Sequence, residues 1–498
     1  MKFLAKLEKT KTSWLIILLC LIFFFLRLPS IIEPYWYGDE GVYEVVGQAL
    51  NHGHLLYRDI WDNKPPLLYI VYALAQGDQG TVKIISLIGG IFSLVVFFLL
   101  SKKLFDKLWI SILTTAVFLI LLGTPLLEGD IANAEVFLLP FTISAGLLIY
   151  HITNKAKTKH FSFFIAGLLL GIAFLVKIVA VFDFAAFFLF LIIIKLPEKI
   201  SLHAIKKYFI KDTPLMLNYG YLILGFLLPF LITVVYFTFN YALHDFFQAV
   251  FSGNVNYVSW GNSLLGIPQG LLILKCLLLV LGISLLVWQR NRISKPTLFI
   301  GLWMLFSLFN VFFSERPYTH YVIVLLPSLC LLIGLLFATK NIKSRLGTAA
   351  AFIIVLFIIC SQFQFSYSKS YLYYSNAIQF VTGKESVVTY QSFFDPNTPR
   401  DYALASFIAQ HTTPQQDVFI WGDSPQIYTL AHKLPIGKYT VAYHITQNNA
   451  IPQIQQEINQ QKPLYIIALK ETSLLPFALP LYIMRYNIPG ATIYERSF

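Results

Sequence analysis

The sequence predicts a polytopic α-helical membrane protein with a small α/β domain at its C-terminal end. Three observations predict it. Hydrophobic residues make up 57% of the 498 and charged ones only 12%, where a soluble domain carries roughly 25% charged. Apolar runs of bilayer-crossing length recur along the first three-quarters of the chain, and beyond about residue 366 the composition turns polar.

The apolar runs fall near 14–32, 82–101, 108–126, 134–151, 161–177, 178–194, 219–240, 269–288, 297–313, 320–338 and 347–361. A helix needs roughly 17–25 residues to cross a bilayer, so about eleven spans are expected. The formal net charge of +12 lies between them: Lys2, Lys6, Lys9 and Lys11, then Lys102, Lys103 and Lys107, then Lys155, Lys157 and Lys159. Lys195, Lys199, Lys206, Lys207 and Lys211 follow, then Arg290, Arg292 and Lys295, and last Lys340, Lys343 and Arg345. These connections alternate with ones almost free of base, which by the positive-inside rule places them in the cytoplasm. The basic excess is therefore a topology signal, and nucleic acid is excluded as a partner.

That alternation gives a multi-pass protein of the plasma membrane with a cytoplasmic N-terminus and an extracytoplasmic C-terminal end. Residues 1–365 form the transmembrane domain and 366–498 the outer one. The first run is flanked by RLPSIIEP, which lacks an A-x-A-like cleavage pattern, so it reads as an uncleaved anchor. Cys20, Cys276, Cys330 and Cys360 all fall within apolar runs. They give neither a disulfide framework nor metal-ligand spacing.

The unusual polar residues collect on the outer side. In YWYGDEGVYE two carboxylates, Asp39 and Glu40, follow the first span, and Val42, Val45, Val46, Ala49 and Leu50 continue at helical spacing, the pattern of an interfacial helix. Asp39 serves there either as an N-cap or as a reacting acid. In YRDIWDNKPPLLY the prolines push Lys64 out of helical geometry and start a helix at Pro66. A cation just before a helix N-terminus opposes the macrodipole, so Lys64, with Arg58 nearby, suits an anion such as phosphate; the alternative is a lysine reaching for lipid headgroups.

Three outer-edge stretches share this character. Lys177 stands at the junction of two apolar runs, where an ionisable group calls for a partner. Glu128, Asp130, Asn133 and Glu135 cluster at an outer turn; Asp130 and Glu135, five apart, share no helical face, and Asp130 is a candidate cap for the next span. Arg316 and His320, followed by Tyr321, flank the mouth of a late span and converge on one ligand if that turn is helical; His320 by itself also suits a hydrogen-bonded structural role.

In order along the chain, GDE, NKPPLLY, EGDIANAE, GIAFLVK and RPYTHYVIVLLP resemble the polyprenyl-phosphate-sugar-dependent glycosyltransferases of the GT-C superfamily, nearest the dolichyl-phosphate-mannose protein mannosyltransferase and lipid A aminoarabinose transferase branch. The likeness covers roughly residues 10–340. It implies a GT-C-like fold in which Asp39 is the general base with Glu40 beside it. Lys64 would contact the donor phosphate, and Lys177, Arg316 and His320 match positions lining the same cavity and are expected to bind that phosphate too. Arg58 joins them by its nearness to Lys64, and from the outer stretches Asp130, Asn133, Glu135 and Tyr321 are expected to contact substrate. The implied partners are a polyprenyl-phosphate-linked sugar donor, a glycan, lipid or protein acceptor, and membrane lipids. The aminoarabinose branch can carry a carboxylate before K-P-P where this chain has Asn63, so no metal ligand is assigned and a divalent cation is left open as cofactor.

The chemistry expected is a single inverting displacement, in which a carboxylate takes the acceptor's proton and cations stabilise the leaving phosphate. The competing reading is a lipid-linked sugar flippase or transporter, which should show repeated halves; none is visible. In the outer domain DVFIWG and LYIIAL read as strands and DYALASFIAQHT, SPQIYTLAHK and PQIQQEINQQ as helices, with Ser424 and Pro425 as N-cap and N1 of a βα turn.

Overall fold

The computed structural model describes residues 2–155, 159–197, 213–255, 262, 269–472 and 474–497. Lys157, Lys199, Lys206, Lys207 and Lys211 lie outside the described residues, as do 256–261 and 263–268 of the outer segment expected over 241–268.

Each expected apolar run is helical. Seven described helices are long and apolar enough to cross a membrane, and four shorter apolar ones, Leu108–Gly123, His160–Val176, Ile178–Ile193 and Lys295–Val311, occupy the remaining runs. The protein is a multi-pass membrane protein. Its helices are α1 (Lys2–Arg27), α2 (Gly38–Asn51), α3 (Pro66–Leu74), α4 (Gln79–Leu104), α5 (Leu108–Gly123), α6 (Ala134–Ile152), α7 (His160–Val176), α8 (Val181–Ile193), α9 (Thr213–Phe239) and α10 (Leu243–Phe247). There follow α11 (Gly270–Gln289), α12 (Lys295–Val311), α13 (Leu326–Ala338), α14 (Ile342–Gln362), α15 (Tyr367–Val381), α16 (Val387–Phe394), α17 (Thr398–His411), α18 (Gln426–Leu430), α19 (Ala442–Gln447) and α20 (Ile451–Gln461).

Two compact units result. One holds Met1–Leu28, Ile85–Tyr236 and Asn254–Ser370; the other holds Pro29–Ile84, Phe237–Gly253 and Tyr371–Phe498. This division departs from a single cut at 365/366. The loop after the first span packs with the C-terminal region, because the polar groups of that loop find their partners there.

The second unit contains a four-stranded sheet in the order β1-β2-β4-β3. β1 (Val418–Trp421) and β2 (Tyr465–Leu469) run parallel, both almost wholly buried, as the strand reading predicts. β3 (Tyr482–Ile488) and β4 (Ala491–Arg496) form a hairpin that the sequence reading missed, with β3 an exposed edge carrying a register shift between Met484 and Tyr486. Ser424 is not a cap. The residue before α18 is Pro425, and the Ser424 hydroxyl instead accepts from Arg400 Nη2 at 3.2 Å. Arg400 also binds Asp401 Oδ1 at 2.7 Å and Glu471 Oε2 at 2.5 Å, so it joins α17 to the segment after β2 as well as to the loop before α18.

α2 is buried almost all round. Its Gly47 lies so close to α3 that a Cβ there would stand 2.7 Å from the Tyr72 carbonyl carbon, and at Gly41 a Cβ would stand 2.9 Å from the Gln426 nitrogen of α18. Its N-cap is Tyr37, which places Asp39 inside the first turn rather than at the cap. The orientation of that turn is fixed from within by Lys83, a fully buried lysine of α4 whose ammonium is 2.9 Å from Glu40 Oε1 and 3.0 Å from Glu33 Oε2. The other Glu33 oxygen accepts from the Tyr373 hydroxyl at 2.5 Å. Tyr402 and Tyr390 add bonds of 3.0 and 3.2 Å to the Tyr35 amide and the Ile32 carbonyl, so tyrosines of the C-terminal region hold the whole segment leading into α2.

One turn beyond Glu40, Glu44 is buried with neither carboxyl oxygen partnered among the described residues. Burial, reinforced by the Glu40 charge, pushes its pKa well above the usual carboxylate value despite Lys83. The folded state therefore holds this proton more tightly than the unfolded chain does. The stability linked to that proton is fully present below pH 4.5 and declines as pH rises.

Two outcomes are expected. Gly47→Ala should cost about 1–3 kcal/mol by forcing α2 from α3, whereas Gly220→Ala, with open space around it, should be silent; thermal unfolding in detergent measures both. Glu44→Gln should raise the melting temperature over wild type by a margin that widens from pH 5 to pH 8, and a margin that shrinks over that range contradicts a buried neutral Glu44.

Candidate functional site

Within the second unit, α2 delivers two adjacent carboxylates to opposite environments. Asp39 is exposed, while Glu40 is 2% exposed and bound to Lys83. Glu40 is therefore a support, and of the pair only Asp39 presents its carboxylate to an incoming molecule.

The loop from Tyr57 to Lys64 is built around hydroxyl groups. The Tyr57 hydroxyl donates to the Lys64 carbonyl at 2.7 Å, and the Lys64 amide donates to the Tyr69 hydroxyl at 3.1 Å. Tyr69 in turn donates to Asp62 Oδ2 at 2.6 Å, and the Asn63 amide donates to Asp62 Oδ1 at 2.7 Å. Tyr57 adopts a left-handed backbone (φ 71°), an unfavourable state for a bulky residue that is held here by its ring packing on Phe237 and Phe246. Burial drives the Tyr57 and Tyr69 hydroxyls well above the ordinary phenol value, so both remain donors. The backbone of Lys64 is thus clamped at both its amide and its carbonyl, while its half-buried ammonium donates to Asn63 Oδ1 at 2.8 Å.

A histidine that the sequence reading did not select completes this group. His444 of α19 is buried, packs edge-on against Trp61 with 4.9 Å between centroids, and places Nε2 3.7 Å from Asp62 Oδ1. Its Nδ1 has no partner among the described residues. Burial lowers its pKa; Asp62, Asp39 and Asp423 pull in the opposite direction, and Lys64 adds to the lowering. Asp39 and Lys64 therefore both bear on one imidazole, which is the neutral form at pH 7. Trp61 anchors the loop to this region through its amide, which donates to the Lys438 carbonyl at 2.8 Å.

Arg58 lies elsewhere in the unit. Its exposed guanidinium pairs with Asp59 at 2.9 Å and lines a polar cleft of about 1340 Å³ with Gln48, Asn51, His432, Lys438 and Glu457. That cleft opens at the C-terminal end of α2, twelve residues or about 18 Å of helix from Asp39.

The first unit holds a second cluster. Lys177, in extended backbone where α7 gives way to α8, forms an ion pair with Glu135 in the first turn of α6 and lies 4.4 Å from the Tyr321 ring centroid. His320 bonds Glu128 Oε2 through Nδ1 at 2.8 Å and has Nε2 3.8 Å from Glu135 Oε1. Thr319 donates to the other Glu128 oxygen at 2.5 Å. Glu128, Glu135, Lys177, His320 and Tyr321 are thus brought together.

The remaining residues of that stretch sit differently from expectation. Asp130 does not cap α6; the cap position is Asn133, whose side chain makes no capping bond, is 1% exposed and has both amide atoms unpartnered among the described residues. The Asp130 side chain is buried, and its carbonyl receives Arg27 Nη2 at 3.2 Å. Arg316 lies ahead of the 3₁₀ turn Thr319–Leu325, after a left-handed Glu315, so it shares no helical face with His320. Among the described residues no group of three or more His, Cys, Asp or Glu side chains is placed to hold a metal ion.

Comparison with known proteins follows the same lines. Residues 64–211 match the sequence model of the family described as dolichyl-phosphate-mannose-protein mannosyltransferase, a match that starts at Lys64 and does not reach Asp39. No curated protein matches the chain. Among solved structures, ArnT from Cupriavidus metallidurans bound to undecaprenyl phosphate is similar with a TM-score of 0.57 at 12% identity, over 97% of this chain and 98% of that one. The archaeal oligosaccharyltransferase AglB from Archaeoglobus fulgidus, in complex with an inhibitory peptide and a dolichol-phosphate, is similar with a TM-score of 0.51 at 12% identity, over 98% and 74%. The likeness extends along nearly the whole chain, and the fold is shared with ArnT and AglB.

Proposed function

We propose that the protein is an inverting glycosyltransferase that moves a sugar from a polyprenyl-phosphate carrier to an acceptor hydroxyl. The observation that carries this reading is an exposed acid, Asp39, aimed by the buried Glu40 to Lys83 pair, in the same unit as Lys64, whose backbone is clamped at both amide and carbonyl. The fold supports it, since ArnT and AglB, which share it, are described with undecaprenyl phosphate and dolichol-phosphate.

The chain's own residues would act as follows. Asp39 takes the acceptor's proton as its oxygen attacks the anomeric carbon. The bond from that carbon to the phosphate oxygen breaks, and the electron pair leaves on the polyprenyl phosphate, where Lys64 meets the developing charge. One displacement inverts the anomeric centre. His444 remains neutral and leaves Asp62 on the Tyr69 hydroxyl and the Asn63 amide, which keep the Lys64 loop in place. In the other unit, Lys177, Arg316 and His320 are proposed to bind donor phosphate, with Asp130, Asn133, Glu135 and Tyr321 as substrate contacts. The run of basic connections places the N-terminus in the cytoplasm and this chemistry on the outer face of the plasma membrane.

The test is transfer by the protein in liposomes supplied with a panel of polyprenyl-phosphate sugars, read as release of polyprenyl phosphate. Asp39→Asn should lower kcat by about 10²–10⁴ and Lys64→Met by about 10²–10³, with folding monitored by melting temperature. Full activity in Asp39→Asn overturns the base assignment. His444→Gln should remove an acid-side loss of activity that begins below pH 6.5, because protonating the wild-type imidazole draws Asp62 away from the Tyr69 hydroxyl that clamps Lys64; identical pH profiles would remove His444 from the site.

A further inference from the structure

The hairpin of α15 and α16 has two apolar faces, and its packing uses one. The inner face is closed: Tyr373, Tyr390 and Phe394 form a core, and Phe380 stacks on Tyr390 with centroids 4.0 Å apart. The outer face is open. Tyr371 is 77% exposed, Ile378 64% and Val381 71%, in one stripe along α15, and Val387 and Val388 at the start of α16 are 56% and 61% exposed. A soluble surface rarely leaves such a series of large apolar side chains contiguous without an occupant.

We propose that this outer face lies on the membrane surface, as an interfacial anchor whose occupant is anionic phospholipid. Three observations favour lipid over a protein partner. The apolar helix α14 ends at Gln362 and α15 starts at Tyr367, a step that spans at most about 18 Å when fully extended, so α15 begins within reach of the headgroups. The hairpin 367–394 carries Lys369 and Lys384 against a single carboxylate, Glu385, a net positive charge that complements anionic lipid. The stripe begins with tyrosines, Tyr367 and Tyr371, which suit the boundary between water and hydrocarbon. An apolar stripe with lysine flanks is the pattern of a helix lying in the interface plane.

The anchor has a route to the site. Tyr373, on the inner face of the same helix, donates to Glu33, Glu33 binds Lys83, and Lys83 binds Glu40 beside Asp39. Holding α15 at the lipid surface therefore holds the support on which Asp39 stands.

The experiment uses the full chain in nanodiscs, with Cys20, Cys276, Cys330 and Cys360 replaced and a fluorophore on Val388→Cys or, as control, on the exposed Gln460→Cys of α20. Spin-labelled lipid should quench the Val388 probe at least about twofold more than the Gln460 probe, and more strongly with phosphatidylglycerol present than in phosphatidylcholine alone. Adding Ile378→Asp and Val381→Asp should abolish the difference while leaving the melting temperature within a few degrees. Equal quenching at the two positions overturns the anchor, and equal quenching with and without phosphatidylglycerol overturns the assignment to anionic lipid. Protection of the Val388 probe that appears only when discs hold two copies of the chain would show a protein occupant and refute the proposal.

Discussion

The structure around Asp39 depends on one buried ammonium. Lys83 and the two carboxylates it joins are at most 3% exposed at the side chain. Desolvating three charges costs several kcal/mol for each ion, a cost that mutual attraction offsets only when every partner is in place. Such a group is a poor source of stability and a good source of specificity. It tolerates one arrangement of Glu33, Glu40 and Lys83, and that arrangement sets the direction of the first turn of α2. Because neighbouring helical residues point about 100° apart, fixing Glu40 inward leaves Asp39 facing out.

The same interaction explains why the C-terminal region belongs with the loop after the first span. Two carboxylates and one lysine leave a negative remainder, and the Tyr373 hydroxyl supplies a donor to it from α15. Tyr390 and Tyr402 then satisfy backbone groups of the same segment, and Gly41 admits α18 to within backbone contact. The outer region is in this sense part of the same unit as Asp39 and Lys64, and it places His444 against Trp61 and Asp62. Hydroxyls do this work without adding charge, which matters where burial and the Glu40 charge already keep Glu44 neutral.

What could be read from the chain and what could not follow from the range of the signals. The apolar runs, the helix start at Pro66 and strands β1 and β2 are local patterns, and each appears where its pattern lies. The ion pair of Lys177 was legible as an ionisable group needing a partner, though its partner Glu135 is 42 residues away. The same rule applied to Lys83, inside the run beginning near 82, would have flagged the central cation; its position at the edge of a span concealed it. His444 offered no signal, since it stands in a polar stretch and becomes significant only through Trp61 and Asp62, nearly four hundred residues earlier. Asp39 as a cap and Ser424 as a cap were both wrong for one reason: a capping residue type states a capacity, and in each case a long-range partner or a neighbouring residue took the position.

The pairing of adjacent acids answers a question that neither residue answers alone. A lone exposed carboxylate on a short helix beside a membrane could rotate with that helix, and its reach toward a substrate hydroxyl would vary by several ångström. The proton transfer proposed for Asp39 requires placement within about 3 Å, so the helix must be fixed about its own axis as well as at its ends. Packing against α3 at Gly47 and α18 at Gly41 fixes its position, and Tyr43 against Tyr69 and Tyr72 resists rotation of its middle turns. The Glu40 to Lys83 bond adds the constraint in the first turn itself, one residue from Asp39. Two carboxylates in sequence therefore divide the task, with the buried one setting the angle at which the exposed one is presented.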